Sequence, residues 1–221
     1  MNRDRPLWQV ELQVEIDVHA KIGTWEGVEL PEGKKPIGCW WVYAVKTTPE
    51  GEFEKANAGI VAQGFTQHPG MDYYEATSPV VKFGSLCVLM SIANALNWEI
   101  HMMDVKGAYL NSDLDEEIYM CQPEGFDDTS GQVLKLKCTL YSLKQSRCTW
   151  HKCLCNTILE LCYTQSCADK CLYIRRGGLQ IEGCQPAIHL IIFSNLEVSV
   201  ILSLYSIPIV LSKVLKEKQQ I

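Results

Sequence analysis

Between residues 7 and 22 apolar and charged positions alternate with the spacing of a short amphipathic helix, and Gly23 ends the pattern. Trp40 to Lys46 and Phe53 to Gly64 read as strands on either side of Pro49-Glu50-Gly51, which predicts a hairpin. From Ser85 to Asn97 the apolar positions Leu86, Leu89, Met90, Ala93 and Leu96 recur at helical spacing. Ile100 to Val105 returns to a strand pattern, and Ser146 to Leu161 is helical through Trp150, Leu154, Ile158 and Leu161. Cys155, Leu159 and Cys162 fall on the same helical spacing, so these thiols are expected as small buried apolar groups. Helices and strands that alternate without βαβ regularity predict an α+β fold.

The last forty residues change character. Ile188 to Leu215 is apolar apart from His189, Asn195, Glu197, Lys213 and a few serines, with Pro208 inside it. Val198 to Ser212 is 15 residues, short of the roughly 20 that cross a bilayer. A buried strand pair, or sequence read past a splice or frame junction, is therefore expected in preference to a tail anchor, and no clear membrane association follows. Three segments result: an N-terminal amphipathic segment, 1–23; a central domain, 24–180; and a divergent apolar tail, 181–221.

The chain has 221 residues, is 47% hydrophobic and carries a formal charge of -6. That is enough apolar sequence for a sizeable core. The acidic balance is wrong for an autonomous nucleic-acid binder, because neutralising phosphates takes clustered Lys and Arg. Any grip on a nucleic acid would come from a local patch or from neighbouring segments. The N-terminal residues lack the apolar stretch of a signal peptide, which makes an intracellular protein, cytoplasmic or nuclear, the expectation. The 11 cysteines are odd in number and irregularly spaced, which argues against a disulfide framework. Cys153-Leu154-Cys155 leaves one residue where a zinc knuckle has two to four.

The blocks with most chemical content are Asp104-Val105-Lys106-Gly107-Ala108-Tyr109-Leu110-Asn111, then Leu114-Asp115-Glu116-Glu117-Ile118-Tyr119-Met120, then Gln122-Pro123-Glu124-Gly125-Phe126. Further blocks are Lys35-Pro36-Ile37-Gly38-Cys39-Trp40-Trp41-Val42-Tyr43, Val61-Ala62-Gln63-Gly64-Phe65-Thr66-Gln67, Ser78-Pro79-Val80-Val81, Leu140-Tyr141-Ser142-Leu143-Lys144-Gln145 and Ala168-Asp169-Lys170-Cys171-Leu172-Tyr173-Ile174. In this order they resemble the reverse transcriptase of copia-type LTR retrotransposons, part of a Pol polyprotein, over roughly 150 residues.

The resemblance implies reverse-transcriptase fingers, formed by the hairpin, and a partial palm of the right-hand polymerase fold, with the thumb absent. It implies an RNA-directed DNA polymerase acting on an RNA or DNA template-primer and dNTP, alongside other Pol segments. Such transfer uses two divalent ions about 4 Å apart, Mg in this family. Asp104 matches the first metal-binding carboxylate and catalytic residue, and Val105 would add its backbone carbonyl. Tyr109 matches the aromatic beneath the incoming sugar, and Gln145 the glutamine that contacts the nucleotide.

Departures are as informative. The family's second palm motif carries two adjacent aspartates, yet the last aspartate of this chain is Asp169. The best register puts Phe193-Ser194-Asn195-Leu196 in that place. Asn57 and Gly59 stand where a lysine and an arginine would clamp the triphosphate, and Lys55 shares a strand face with Asn57 only if the hairpin register holds. Ser142 replaces a turn glycine, and the order of Ser146-Arg147-Cys148-Thr149 is disturbed. Since each electrostatic element of such a site contributes several kcal/mol, on the order of 3, the expectation is an inactive remnant. A repurposed non-catalytic binding module or a tail-anchored interaction protein is the alternative.

Overall fold

In chain order the elements are α1 (Arg5–Ile22), β1 (Trp25–Val28), β2 (Cys39–Thr47), β3 (Phe53–Ala62), α2 (Phe83–Ala95), β4 (Glu99–Asp104), β5 (Tyr119–Met120), β6 (Val133–Leu136), α3 (Ser146–Glu160), β7 (Thr164–Gln165), β8 (Leu172–Arg176), β9 (Ile188–Phe193) and β10 (Val198–Ser203). The computed structural model describes residues 5–97, 99–105, 107–128, 130–176, 188–193 and 198–203. The chain divides into two units, one of residues 1–76 and 112–149, the other of 77–111 and 150–221.

In the first unit α1 packs on β3. Helical spacing puts Trp8, Leu12, Ile16 and His19 on one side, and His19 is buried, stacked 4.5 Å from Trp25 with Nδ1 3.1 Å from the Thr24 hydroxyl. Glu15 accepts the Ile60 N–H at 3.2 Å, satisfying a donor that the two-stranded hairpin leaves over. Gly23, at φ 72°, lets its N–H return to the His19 carbonyl at 3.0 Å and stops the helix.

β2 and β3 form the predicted antiparallel hairpin, with Gly51 at φ 86° supplying the left-handed turn residue. The register is regular from Cys39↔Ala62 to Lys46↔Lys55 and shifts only between Lys46 and Thr47. Lys55, Asn57 and Gly59 therefore share one face, the condition that the sequence left open, while Ala56, Ile60 and Ala62 are buried on the other. A second sheet runs β1-β6-β5, pairing Trp25 with Leu136 and Tyr119 with Lys135.

The second unit holds an antiparallel sheet in the order β4-β10-β9-β8-β7. Leu89 and Ala93 of α2 pack with Leu172 and Ile174 of β8. Trp150, Leu154 and Ile158 of α3 join Val105, Ala108, Tyr109, Tyr163 and Tyr173 in a second cluster. This helix corrects one expectation. Cys155 is half-buried, but Leu159 is 49% exposed and Cys162 is exposed, because the face through Trp150, Leu154 and Ile158 takes the core contacts and the adjacent face does not. The apolar tail contributes β9 and β10 to the same sheet as β4 and β8. The ten described cysteines are all free thiols.

Candidate functional site

Asp104 is the last residue of β4 and pairs with Val198, the first residue of β10. β9 ends at Phe193 and β10 begins at Val198, so residues 194–197, where the family resemblance leads one to expect the acidic palm motif, fall between these two strands in sequence. Ser194, Asn195 and Leu196 lie outside the described residues. As sequence, the connection brings at most one carboxylate, Glu197, and no aspartate.

Beyond Asp104 the chain turns sharply. Val105 is buried, and Gly107 at φ 57° takes the left-handed conformation. A 3-10 turn over Ala108–Asn111 follows, in which the Leu110 N–H and the Asn111 side-chain amide both donate to the Gly107 carbonyl at 2.9 Å. The turn carries Tyr109 into the α3 cluster, where it is 8% exposed. Asp104, Val105 and Tyr109 thus belong to one unit, held by one strand and the turn after it.

Gln145 belongs to the other unit. Its side chain is 1% exposed and its amide is fully committed: Oε1 accepts from the Gln67 amide at 3.0 Å, and Nε2 donates to the Asp72 carbonyl at 3.0 Å and to Glu116 at 3.4 Å. Gln67 in turn accepts the Lys144 N–H at 2.8 Å. Sequence reasoning passed over Gln67, although it closes one of the quoted blocks; pairing across that distance leaves no periodic signal.

The turn before Gln145 is tight. Ser142 sits at φ 73°, in the region that glycine occupies without steric cost. A β-carbon at Gly64 would collide with the Ser142 carbonyl oxygen, so the close approach of these two backbones requires glycine at 64.

In the second unit, Asp169 is a buried carboxylate that sequence reading left without a role. It accepts the Lys82 N–H at the start of α2 and the Cys171 N–H, each at 2.9 Å. Burial pushes its carboxyl up, but hydrogen bonds from the Ser85 hydroxyl and from the Cys171 and Lys82 N–H groups outweigh burial and hold it below the ordinary carboxylate value. It ties α2 to the loop before β8, where Leu172 and Ile174 meet that helix.

A hard divalent cation takes about six oxygen ligands. Asp104 is in register with Val198, and among the described residues no three His, Cys, Asp or Glu side chains converge on a metal position. The donors among the described residues do not make up a two-ion centre.

An antiparallel sheet with an aspartate at the end of its edge strand, a buried tyrosine five residues on, and this order of sequence blocks define the class of reverse transcriptases. A family model described as "Reverse transcriptase (RNA-dependent DNA polymerase)" matches residues 22–182, and the chain belongs to that family. It is 39% identical over 167 residues to the retrovirus-related Pol polyprotein from transposon TNT 1-94 of Nicotiana tabacum, covering 75% of this chain and 13% of the relative. It is 35% identical over 170 residues to the Pol polyprotein from transposon RE1 of Arabidopsis thaliana, covering 75% and 12%. For transposon RE2 of the same plant the identity is 33% over 184 residues, covering 82% and 12%. The chain is a reverse transcriptase domain of the copia-type Pol kind and spans about one eighth of the length of these relatives.

Proposed function

We propose that this chain is a catalytically silent reverse transcriptase domain, one that keeps the scaffold of RNA-directed DNA synthesis without its metal chemistry. The observation that carries the reading is the pairing of β4 with β10: the strand facing Asp104 opens on Val198, and the connection before it contains no aspartate. Asp104 is the single surviving Mg ligand in this reading, with the Val105 carbonyl beside it and Tyr109 as the remaining nucleotide-site aromatic. Gln145 is the remaining nucleotide-contacting amide, now spent on Gln67, Asp72 and Glu116. The hairpin supports the same conclusion in one respect: Gly59 offers a triphosphate no guanidinium, although Lys55 puts an amine on the face of Asn57.

Template-primer and dNTP are the ligands this scaffold descends from, and other Pol segments are its natural neighbours. Among the described residues no helix is long and apolar enough to cross a membrane. A primer-extension assay on a homopolymer template, with magnesium and separately with manganese, tests the proposal. The expected result is no extension above a protein-free control. Robust synthesis that Asp104→Ala abolishes overturns it.

A further inference from the structure

A cavity of about 440 Å³ opens in the unit of residues 1–76 and 112–149, at a place that the polymerase reading does not use. Its floor is apolar and rigid. Ile37, Ile118 and Tyr119 are each 5% exposed or less, and Pro36 lies beside them. The Ile37 N–H donates to the Tyr119 carbonyl at 2.8 Å and the Cys121 N–H to the Ile37 carbonyl at 2.9 Å, which pins the two floor segments to each other.

The rim is polar, and its acidic members are already committed. Asp72 accepts the His68 N–H at 2.7 Å and returns its own N–H to the His68 carbonyl at 2.9 Å, closing the 68–72 turn. Glu117 holds Lys135 at 2.8 Å and lies 3.9 Å from Lys34. The exposed Lys35 amine and the exposed His68 ring, in contrast, have no hydrogen-bond or ion-pair partner among the described residues. Along the lining the amines of Lys34 and Lys35 balance the carboxylates of Asp72 and Glu117, and Lys135, from outside the cavity, takes up Glu117.

A concave site of this size, with an apolar floor and a few uncommitted donors at its edge, has the anatomy of a small-molecule pocket, for which volumes of about 300–1,000 Å³ are usual. We propose that it binds a small amphipathic monoanion: a carboxylate taken by Lys35 and His68, on a flat apolar body laid over Ile37 and Tyr119. Asp72 and Glu117 are engaged by the His68 N–H and by Lys135, which leaves the Lys35 amine for one ligand carboxylate, with the His68 ring beside it on the rim.

Equilibrium dialysis of the full chain against 2-naphthoate tests this, with 2-naphthamide as the uncharged isostere and acetate as the head group alone. Saturable one-to-one binding of naphthoate is expected with Kd below about 1 mM, and naphthamide and acetate should bind at least about tenfold more weakly. Lys35→Met should weaken naphthoate at least about fivefold and leave naphthamide unchanged; as Lys35 is exposed, an unchanged melting temperature will show that the fold is intact. The proposal is overturned by an absence of saturable binding up to about 10 mM, by equal binding of naphthamide, or by unaltered naphthoate binding in both Lys35→Met and His68→Ala.

Discussion

Gln67 and Gln145 hold each other across 78 residues of sequence: the Gln67 amide donates to Gln145 Oε1 at 3.0 Å while its own oxygen takes the Lys144 N–H at 2.8 Å. Both side chains are buried, so removing either leaves unpaired polar groups away from water. Gln145→Ala and Gln67→Leu should each lower unfolding free energy by about 1–3 kcal/mol, and the double variant should lose less than the two single losses added together. Urea denaturation of the full chain measures all three. Full additivity would show that the two amides act separately.

The Gly64 and Ser142 backbones approach so closely that exchanges at the two positions should act in opposite directions. Gly64→Ala places a methyl group against the Ser142 carbonyl and should cost several kcal/mol, on the order of 4. Ser142→Gly relieves a left-handed serine at φ 73°, offset in part by the added freedom of the unfolded chain, for a net gain of up to about 1 kcal/mol. Thermal melts of the two variants beside the parent read both signs.

Asp169 should make the second unit acid-sensitive. Its folded carboxyl is held below the ordinary value of 3.8, so its stabilising contribution is present above that value and is lost as pH falls through the lower folded one. Asp169→Asn should destabilise at neutral pH by about 1–3 kcal/mol, and the gap between parent and variant should narrow in acid. A gap that is constant from neutral to strongly acid pH would show that the charge is not what ties α2 to β8.

Magnesium should leave stability unchanged. A ligand that binds the folded state at a hundred times its Kd raises unfolding free energy by about 2.7 kcal/mol, and on the proposed reading a single surviving carboxylate, Asp104, gives the ion too few oxygens for such binding. Melting curves with magnesium chloride should superimpose on curves in sodium chloride of equal ionic strength. A specific upward shift that Asp104→Ala removes would reveal a competent metal site.

Periodicity was sufficient for α1, α2, α3, β4 and the hairpin, where a stripe or an alternation runs for several residues and glycine marks the stop at Gly23 and Gly51. It was insufficient where the partner is remote. β1 and β6 are four residues each and pair Trp25 with Leu136, so neither strand carries enough pattern to announce itself. The tail read as a change of character because apolar runs do not name their neighbour; only the ladder shows Val198–Ser203 seated between β4 and β9. At the site, Asp104 and Tyr109 were legible as a motif, while the commitment of Gln145 depends on Gln67, Asp72 and Glu116, brought together by folding.

The position of β10 has a genetic consequence. Among the described residues β4 has one ladder neighbour in its sheet, and that neighbour is coded after residue 197. A stop codon or frameshift just upstream would strip cross-strand hydrogen bonds from Glu99–Asp104 and expose those amides to rapid hydrogen exchange. The strand coded from Val198 onward therefore carries part of the shape of β4, whatever chemistry Asp104 does.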